Sequence, residues 1–368
     1  MFEYLKNAAW RLTWAPGRIP DLSGRVYVVT GGNSGLGFEI CRELALHGAT
    51  VVMAGRNKEK CCNAIGEIAK ERPSGTLRFM HVELASLKSV RAFADEFLAT
   101  QLPLHGLICN AGVGLPKQSH TEDGFETTVG INFYSHFYLA HLLLDKLKAS
   151  APSRVVFMSS AEESRGFVPW DDMKGVNVEK SDFTWYGSAN LWKLMAAKEL
   201  AERLHGTGVE VFAVQPGMSR TDFFSKMDYS QTESTTHNKM QQLGGQPASR
   251  GAISALFAAT EPSLAGGAGC EGRSGAYFGP YYFRLPNWFS AHFPFTFNLG
   301  QTMKLQPANS LARDPDARRR LYETVADALE ETLHGPLPAR LPPPAPADAA
   351  ADMAAAVAGA GEGQTAVL

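Results

Sequence analysis

Short apolar runs alternate along the chain with longer segments in which apolar residues recur every three or four positions. The runs have the length of buried β-strands, and the longer segments have the period of helices that pack one face on a sheet. The predicted strands are 26–30, 51–54, 77–82, 106–109, 155–159 and 209–214. The predicted helices are 36–47, 57–71, 86–100, 125–149 and 192–204. This alternation predicts an α/β fold with a doubly wound parallel sheet in a single domain.

Beyond Gly217 the alternation of strand-length apolar runs with helical patterns weakens. Further elements predicted there are a helix over 249–259, a last strand over 275–278 and a charged helix over 315–333. From Gly335 on, Pro, Ala and Gly dominate, and such a composition buries too little apolar surface to offset the entropy of ordering. We therefore expect a lead-in segment over 1–21, one folded domain over 22–334 and a disordered tail over 335–368.

Composition argues against several classes of function. The 368 residues are 45% hydrophobic and 20% charged, which is typical of a chain with a large core. The formal net charge of -2 gives no field that would attract nucleic acid, so no nucleic-acid partner is expected. The 5 cysteines include no Cys-x-x-Cys pair and no His-Glu-x-x-His pattern occurs, so neither a disulfide framework nor a metal site is expected. A reducing compartment, either the cytoplasm or an organelle interior, fits these cysteines best.

Two segments are rich in aromatic residues, and the sequence alone does not decide whether they pack on the domain or contact a membrane. Residues 1–19 lack the apolar core of a secretory signal and are predicted to be a lead-in helix packed on the domain, with an interfacial membrane anchor as the alternative. The run 277–297 is equally consistent with a substrate lid, a membrane contact or core. The membrane hypothesis depends on Trp10, Trp14, Trp288 and Phe289. Self-association into a homo-oligomer also stays open.

A glycine cluster follows the first predicted strand. The sequence Thr30-Gly31-Gly32-Asn33-Ser34-Gly35-Leu36-Gly37 joins that strand to an apolar helix. Glycine is needed in such a turn because a Cβ atom would block the turn, the approach of a pyrophosphate or the packing of helix on strand. The N-terminus of the helix then offers free amides to the anion. Because the cluster stands between a strand and a helix in the first βαβ unit, it predicts dinucleotide binding on a Rossmann-type sheet.

The end of the second strand predicts which dinucleotide binds. An acidic residue at this place accepts hydrogen bonds from a ribose 2′-hydroxyl, whereas a basic residue accommodates a 2′-phosphate. The sequence reads Gly55-Arg56-Asn57 there and contains no carboxylate. Arg56 is placed for bidentate contact with a phosphate, so NADP(H) is the predicted cofactor, with a solvated Arg56 as the alternative.

Five motifs in the same order resemble the short-chain dehydrogenase/reductase family. They are Thr30 to Gly37, Asn110-Ala111-Gly112, Asn132, Ser159-Ser160 and Pro216-Gly217 with Thr221, and the match covers about residues 22–333. Within the family, segments 82–91 and 123–132 are similar to the retinol dehydrogenase and light-dependent protochlorophyllide reductase branches. Those branches act on bulky apolar molecules, which implies an apolar small-molecule substrate here.

The resemblance implies a set of site residues. Glu83 takes the place of the usual Asp that meets the adenine, and Pro216, Gly217 and Thr221 approach the nicotinamide. The expected cofactor-binding residues are Gly31, Asn33, Ser34, Gly35, Leu36, Gly37, Arg56, Glu83, Leu84, Asn110, Ala111, Gly112, Pro216, Gly217 and Thr221. The implied catalytic residues are Tyr186 as acid or base, Ser160 as the group that holds the carbonyl and Asn132 as the support of a proton-relay water.

The fourth catalytic position departs from the family pattern Tyr-x-x-x-Lys. This chain has Asn190 where the lysine belongs and Lys193 three residues later. Asn190 cannot supply the positive field that lowers the pKa of a phenol from about 10. Lys193 lies within about 60° of Asn190 on the same helix face but about 4.5 Å further along the axis. It could therefore serve as a substitute cation by leaning back toward Tyr186, or it could point into solvent.

The sequence thus predicts an NADP(H)-dependent oxidoreductase that transfers a hydride between nicotinamide and a carbonyl or alcohol on a bulky apolar substrate. The alternative is a catalytically impaired protein that binds NADP(H) and acts as a sensor or scaffold, because the lysine is lost. Photochemical reduction of a tetrapyrrole stays open as well, on the branch resemblance alone.

Overall fold

Most of the described strands join one mixed sheet. The structure is a computed structural model that describes residues 14–114, 116, 119–178, 180, 182–220, 245–264, 274–283, 297–306 and 308–344. The strands are β1 (Val26–Thr30), β2 (Thr50–Gly55), β3 (Thr76–His81), β4 (Gly106–Cys109), β5 (Ser153–Met158), β6 (Val209–Val214), β7 (Ser219–Arg220), β8 (Gln246–Pro247), β9 (Tyr277–Phe283) and β10 (Phe297–Leu305). Within the described residues the main sheet has 8 strands in the order β3-β2-β1-β4-β5-β6-β9-β10. Its pairs are parallel except for β9 with β10, and β7 and β8 form a separate short pair.

This strand order confirms the predicted doubly wound parallel sheet. The chain moves outward from β1 through β2 and β3, and then from β4 in the opposite direction. Val28 at the centre of β1 pairs with Val52 of β2 and with Leu107 of β4. Every residue of β1 is buried, as expected for a strand in a sheet that is covered on both faces. Such sheets bind ligands beyond the carboxyl ends of the strands where the winding reverses, which here are β1 and β4.

Helices cover both faces of the sheet. They are α1 (Gly35–Leu46), α2 (Lys58–Ala69), α3 (Leu87–Ala99), α4 (Thr127–Val129, continued by the π-helical Gly130–Tyr134 and by Ser135–Leu142), α5 (Leu144–Ala149), α6 (Asp182–Arg203), α7 (Ala248–Gly251), α8 (Ile253–Thr260), α9 (Ser310–Arg313) and α10 (Pro315–Leu333), with 3₁₀ turns at Pro16–Arg18, Ala161–Arg165 and Pro262–Leu264. Val26 and Val28 of β1 belong to one apolar cluster, and Tyr27 and Val29 belong to another. Since successive side chains of a strand point to opposite faces, the two clusters are the cores on the two sides of the sheet.

Helix α6 begins ten residues before the start that the sequence predicts. The pattern predicts a helix from Trp192, whereas α6 begins at Asp182. The first turns contain Gly187, Ser188 and Asn190, which are weak helix formers. These residues are nevertheless buried, and packing against the domain decides the conformation instead of intrinsic propensity. The consequence for the site is that Tyr186 lies inside the helix and not before it.

The last two strands also differ from the prediction. β9 continues past the predicted end at Phe278, and β10 is a strand that the sequence pattern does not predict. Pro280 inside β9 argues against a strand, but it lies opposite Met303 of β10 beside a shift of register. A proline is tolerated at such a place because the regular ladder of hydrogen bonds is interrupted there. Residues 284–296 of the aromatic run lie outside the described residues.

The prediction of a disordered tail is wrong for its first part, residues 335–344. Leu337 is 3% exposed and Leu341 is 8% exposed, and both belong to the apolar core. The carbonyl oxygen of Leu341 accepts a hydrogen bond of 2.7 Å from Arg203, and its amide donates to the hydroxyl of Tyr322 at 2.9 Å. Composition underestimates this segment because two leucines and a few polar contacts suffice when α6 and α10 already form the surface. Residues 345–368 lie outside the described residues.

The described end of the lead-in segment packs on the domain. Trp14 is fully buried, its Nε1 donates to Glu261 at 2.9 Å, and its ring meets Phe257 edge-on at 5.8 Å. Trp14 is therefore not available to a membrane, and the membrane hypothesis is wrong for this residue. Trp10, Trp288 and Phe289 lie outside the described residues. In the part of the chain that is described, no helix combines the length and the apolar character needed to cross a bilayer.

Candidate active site

The glycine turn after β1 brings helix and strand into close contact. Gly31 has a φ of +69°, in the left-handed region that favours glycine. A Cβ atom on Gly37 would lie 2.2 Å from the carbonyl oxygen of Gly31 and 2.6 Å from Nδ2 of Asn110. The start of α1 therefore approaches the ends of β1 and β4 more closely than a residue with a side chain permits.

The first turn of α1 can receive an anion. Ser34 is the N-cap residue, but its side chain makes no capping hydrogen bond and is exposed. No acidic residue occupies the first turn, and Asn33, Gly35 and Leu36 are partly exposed around it. The first amides of a helix lack partners within the helix, and the helix dipole favours negative charge at this end. The glycine turn and these amides fit the pyrophosphate of a dinucleotide.

We expect Gly37→Ala to weaken the binding of the predicted cofactor, NADPH, by about tenfold or more, which corresponds to about 1.4 kcal/mol. The added methyl group would overlap the carbonyl oxygen of Gly31, so α1 must move away and carry its amides with it. The matched control is Gly66→Ala in α2, where a Cβ atom would meet nothing within 4 Å. Fluorescence titration with NADPH measures both variants. Equal affinity of Gly37→Ala and the parent chain would contradict the close-approach argument.

Arg56 at the end of β2 is accessible to a ligand. Its side chain is 72% exposed, and Nη1 lies 3.7 Å from Oε2 of Glu83, which is a loose ion pair. The other carboxylate oxygen of Glu83 accepts a hydrogen bond from the amide of Ala85 at 3.1 Å. Leu84, in contrast, is 7% exposed and packs in the core, so the structure does not place its side chain in the site.

Thr30 connects three elements beneath the site. Its hydroxyl oxygen accepts hydrogen bonds from the amides of Asn110 and Ala111, each at 3.0 Å, and lies 2.9 Å from Nε2 of His136. Burial lowers the pKa of His136 to about 3, so the ring is neutral. Its Nδ1 lies 3.0 Å from the carbonyl oxygen of Asn132, which can only accept, so Nε2 accepts from Thr30. Asn110 completes the network by donating to the carbonyl oxygen of Thr30 at 2.9 Å.

Asn132 fastens the loop that follows β4. It lies in the π-helical part of α4 and is 1% exposed. Its Oδ1 accepts from the amide of Val113 at 2.7 Å, and its Nδ2 donates to the carbonyl oxygen of Val113 at 2.8 Å. The side chain is thus used to hold the loop, in which Gly112 is exposed beside it. The predicted support of a relay water by Asn132 stays a prediction.

Ser160 and Tyr186 come together beyond the end of β5. The hydroxyl groups share a hydrogen bond, and the carbonyl oxygen of Ser160 accepts from the hydroxyl of Tyr277 at 3.1 Å. Burial raises the pKa of Tyr186, while hydrogen bonds from Ser160 and Asn190 partly offset this effect. The net direction is upward, so the phenol keeps its proton at neutral pH. A protonated phenol beside a second hydroxyl can donate a proton to a carbonyl oxygen.

Asn190 occupies the position of the family lysine. It is 2% exposed, and its Nδ2 donates to the carbonyl oxygen of Tyr186 at 2.8 Å. Its own carbonyl oxygen accepts from the hydroxyl of Ser159 at 3.0 Å, which ties α6 to the end of β5. Asn190 therefore holds Tyr186 in place but contributes no charge.

Lys193 neither leans back to Tyr186 nor points into solvent, which corrects both expectations for it. It is 3% exposed, and its ammonium group donates to the carbonyl oxygen of Met158 at 2.8 Å. Burial lowers the pKa of Lys193 to about 8, and the Cys109 thiol acts in the opposite direction. Lys193 takes this direction because it lies about one helical turn beyond Asn190, where its side chain enters the core beside the ends of β4 and β5.

The segment after β6 forms another wall of the site. Gly217 has a φ of +71°, and Pro216 and Gly217 are both partly exposed. The carbonyl oxygen of Pro216 accepts from Gln246 at 2.5 Å, which holds the turn to β8. Thr221 lies outside the described residues.

The supporting residues of the site could not be predicted from the sequence. Thr30 and His136 form the hydrogen-bond network beneath the glycine turn. The sequence does not reveal this contact, because the two residues are 106 positions apart. Tyr277 is separated from Ser160 by 117 residues and looks like part of an aromatic run.

Comparison with known proteins agrees with this geometry. The family model described as short chain dehydrogenase matches residues 25–232. The chain is 44% identical over 198 residues to Retinol dehydrogenase 12 from Mus musculus, which is 54% of this chain and 62% of that protein. It is 37% identical over 268 residues to the WW domain-containing oxidoreductase from Homo sapiens, which is 70% of this chain and 62% of that protein.

Among solved structures, an uncharacterized protein from Mycobacterium Paratuberculosis superimposes with a TM-score of 0.65 and 28% identity, over 89% of this chain and 99% of that one. The matched part spans 62% of the length of both curated relatives. The family match covers more than half of the chain and includes the glycine turn, Ser160 and Tyr186. The resemblance predicted from the motifs is thereby confirmed: the chain belongs to the short-chain dehydrogenase family.

Proposed function

We propose that the protein is an NADP(H)-dependent oxidoreductase that acts on a carbonyl or alcohol of a bulky apolar substrate. The observation that carries this proposal is the hydrogen-bonded pair of Ser160 and Tyr186 on the sheet edge that also holds the glycine turn. Both features follow the carboxyl ends of parallel strands, β5 and β1, so they border one crevice.

Each residue of the pair has a task in carbonyl reduction. The hydroxyl of Ser160 donates a hydrogen bond to the substrate oxygen and orients it. Tyr186 gives its proton to that oxygen as the alcohol forms, acting as a general acid. Asn190 and Ser159 hold α6 against the end of β5 and thereby fix the distance between the two hydroxyl groups. NADP(H), when bound, supplies or accepts the hydride.

The preference for NADP(H) is proposed from Arg56. We expect Arg56→Ala to lower the affinity for NADPH relative to NADH by about 1.5 to 3 kcal/mol, the range for a hydrogen bond to a charged group. The control is Lys60→Ala, which removes an exposed positive charge from the first turn of α2. Dissociation constants for NADPH and NADH of the three proteins measure the effect. Equal affinity of the parent chain for both cofactors would rule the preference out.

The apolar character of the substrate is proposed from the surface around the crevice. Met218 is 39% exposed and Val176 is 52% exposed, and they are the exposed large hydrophobic residues found among the described positions. Met218 follows Gly217 directly, beside the carboxyl end of β6, and Val176 lies in the connection between β5 and α6. Retinol dehydrogenase 12 is named for an apolar alcohol, which supports the same substrate class.

The proposal is tested by NADPH consumption with a panel of apolar aldehydes and ketones. We expect turnover above background for at least one long-chain or ring-bearing aldehyde and none with Tyr186→Phe. Small polar aldehydes are the control for the apolar preference. Absence of turnover across the panel, with NADPH shown to bind, would favour the second candidate function below.

A second candidate is an NADP(H)-binding protein with impaired catalysis that acts as a sensor or scaffold. It is favoured by Asn190 at the lysine position and by the use of Lys193 to hold Met158. Neither residue gives Tyr186 the cation that the family pattern provides. Tight NADPH binding without turnover is the result expected for this function.

A reducing compartment is proposed for the protein. Cys41, Cys61, Cys62 and Cys109 are free thiols, although oxidising compartments favour disulfides. Mass spectrometry after alkylation of freshly lysed cells tests this, since every one of these cysteines should be modified as a thiol once the protein is unfolded.

A further inference from the structure

The loop that follows β4 is fastened at two points by hydrogen bonds to side chains. The amides of Asn110 and Ala111 donate to the hydroxyl oxygen of Thr30, each at 3.0 Å. Further along, the amide and the carbonyl group of Val113 bond to the side chain of Asn132, at 2.7 and 2.8 Å. The place of the loop therefore depends on how Thr30 and Asn132 are held.

The same loop borders the crevice where the cofactor is expected. A Cβ atom on Gly31 would lie 3.0 Å from Cα of Ala111, and one on Gly37 would lie 2.6 Å from Nδ2 of Asn110. The loop thus packs closely against the glycine turn and the start of α1. Because such close packing transmits displacements, a shift of the loop would reach the amides that are expected to receive the pyrophosphate.

His136 contacts both residues that hold the loop. Its Nε2 lies 2.9 Å from the hydroxyl oxygen of Thr30, and its Nδ1 lies 3.0 Å from the carbonyl oxygen of Asn132. The ring is fully buried, and burial lowers the pKa of His136 to about 3, so it is a neutral imidazole with one donor and one acceptor. Nδ1 donates to Asn132, and Nε2 accepts the hydroxyl proton of Thr30.

The contact with His136 decides where the hydroxyl proton of Thr30 points. The hydroxyl group has one proton to donate and two lone pairs that accept. A second acceptor, the carbonyl oxygen of Ile108, lies further away, at 3.4 Å against 2.9 Å for Nε2. Because the imidazole takes the proton, both lone pairs remain for the amides of Asn110 and Ala111.

The backbone of α4 is widened at Asn132. Gly130–Tyr134 is π-helical, and the amide of Ser135 accordingly donates to the carbonyl oxygen of Gly130, five residues earlier. Such turns are rare and occur frequently at functional sites. The hydrogen bond from His136 to the carbonyl oxygen of Asn132 fastens this turn at the residue that clamps the loop. One ring thus supports both attachments of the loop.

We propose that His136 is a positioning residue for the dinucleotide: by holding Thr30 and Asn132 together, it fixes the loop over residues 110–113 and thereby raises the affinity for NADP(H). The proposal rests on the proposed function only for the identity of the ligand. Since His136 is fully buried, it acts through the loop and not by contact with the ligand.

His141 on the same helix provides a matched control. Its Nδ1 lies 2.8 Å from the carbonyl oxygen of Phe137, four residues earlier, and its Nε2 lies 3.0 Å from the hydroxyl of Tyr322 in α10. Both histidines are buried and bond to one carbonyl and one hydroxyl group, but His141 contacts neither anchor of the loop. A loss that both variants share therefore reflects a buried histidine in general.

His136→Leu and His141→Leu are compared by hydrogen exchange of the backbone amides, followed by NMR without any ligand. The amides of Asn110 and Ala111 should exchange about fivefold faster or more in His136→Leu than in His141→Leu, the effect of one lost hydrogen bond. Fluorescence titration should show a similar loss of NADPH affinity in His136→Leu alone. Equal exchange in the two variants, or an unchanged NADPH affinity of His136→Leu, would overturn the proposal.

Two smaller substitutions keep the test decisive where His136→Leu does not fold. The side-chain oxygen of Gln can accept from Thr30 near the place of Nε2, whereas the shorter amide of Asn reaches only the place of Nδ1. The loop amides should therefore exchange more slowly in His136→Gln than in His136→Asn, and equal rates or the reverse order would contradict the proposal. If this pattern appears and no aldehyde is reduced, the proposed function fails while the role of His136 stands. If NADPH is turned over and the pattern is absent, the role of His136 fails alone.

Discussion

A chain that ends at Gly335 should melt about 6 to 14 °C below a chain that ends at Pro344. The shorter chain loses the burial of Leu337 and Leu341, each worth about 1.5 to 3 kcal/mol. It also leaves the buried guanidinium of Arg203 without the carbonyl oxygen of Leu341, at a cost of about 1 to 3 kcal/mol. For a domain of about 300 residues, with an entropy of unfolding of about 2.1 cal/mol/K per residue, each kcal/mol corresponds to about 1.5 °C.

Point variants separate the packing of this segment from chain length. Leu337→Ala should lower the melting temperature, because Leu337 is 3% exposed in the core. Pro336→Ala is the matched control, since Pro336 is exposed one residue earlier. Differential scanning calorimetry of the two truncated chains and the two variants gives the comparison. Identical melting temperatures for chains ending at Gly335 and Pro344 would mean that the segment does not stabilise the domain.

Tyr186→Phe should lower the turnover of NADPH with an apolar aldehyde by about a hundredfold to ten-thousandfold, the contribution of a general acid. The change removes one oxygen atom and leaves the aromatic packing with Phe183 in place. Tyr134→Phe is the control, because it removes a buried hydroxyl that donates to Met173 at 2.9 Å. It should cost about 1 kcal/mol of stability and leave turnover intact.

Asn190→Lys completes this test because it restores the family pattern Tyr-x-x-x-Lys. A lysine here would favour the phenolate and should shift the pH profile of reduction to lower values. The double substitution Asn190→Lys with Lys193→Asn also removes the buried cation at Met158 and exchanges the two side chains. A parent chain that reduces aldehydes and keeps this activity in Tyr186→Phe would show that the proton comes from another group.

The central fold could be predicted from the sequence because its signals are local. β1, β4 and β6 are predominantly apolar runs, and their predicted bounds agree with the structure. The glycine turn is equally local, since strand, glycines and helix follow one another within the segment from Val26 to Leu46. Charged α10 is also predicted with its bounds, because its N-cap Asp314 and Pro315 mark its start.

The rest depends on contacts between distant parts of the chain. The first turns of α6 are helical although Gly187 is a weak helix former, because the turn after Ser160 packs against it. Leu337 and Leu341 dock on a surface made by α6 and α10, which composition cannot reveal. The direction of Lys193 depends on which neighbour offers an acceptor, and the carbonyl oxygen of Met158 lies 35 residues earlier in the chain. Helical geometry alone left that choice open.

The most direct test of the account is the transfer of deuterium from NADPH labelled at C4 of the nicotinamide to the carbon of an apolar aldehyde. Mass spectrometry of the alcohol product measures it, with the unlabelled cofactor and the Tyr186→Phe variant as controls. We expect a deuterated alcohol from the parent chain and almost none from Tyr186→Phe at the same pH. NADPH that binds tightly to the parent chain, yet transfers no deuterium to any aldehyde of the panel, would contradict it.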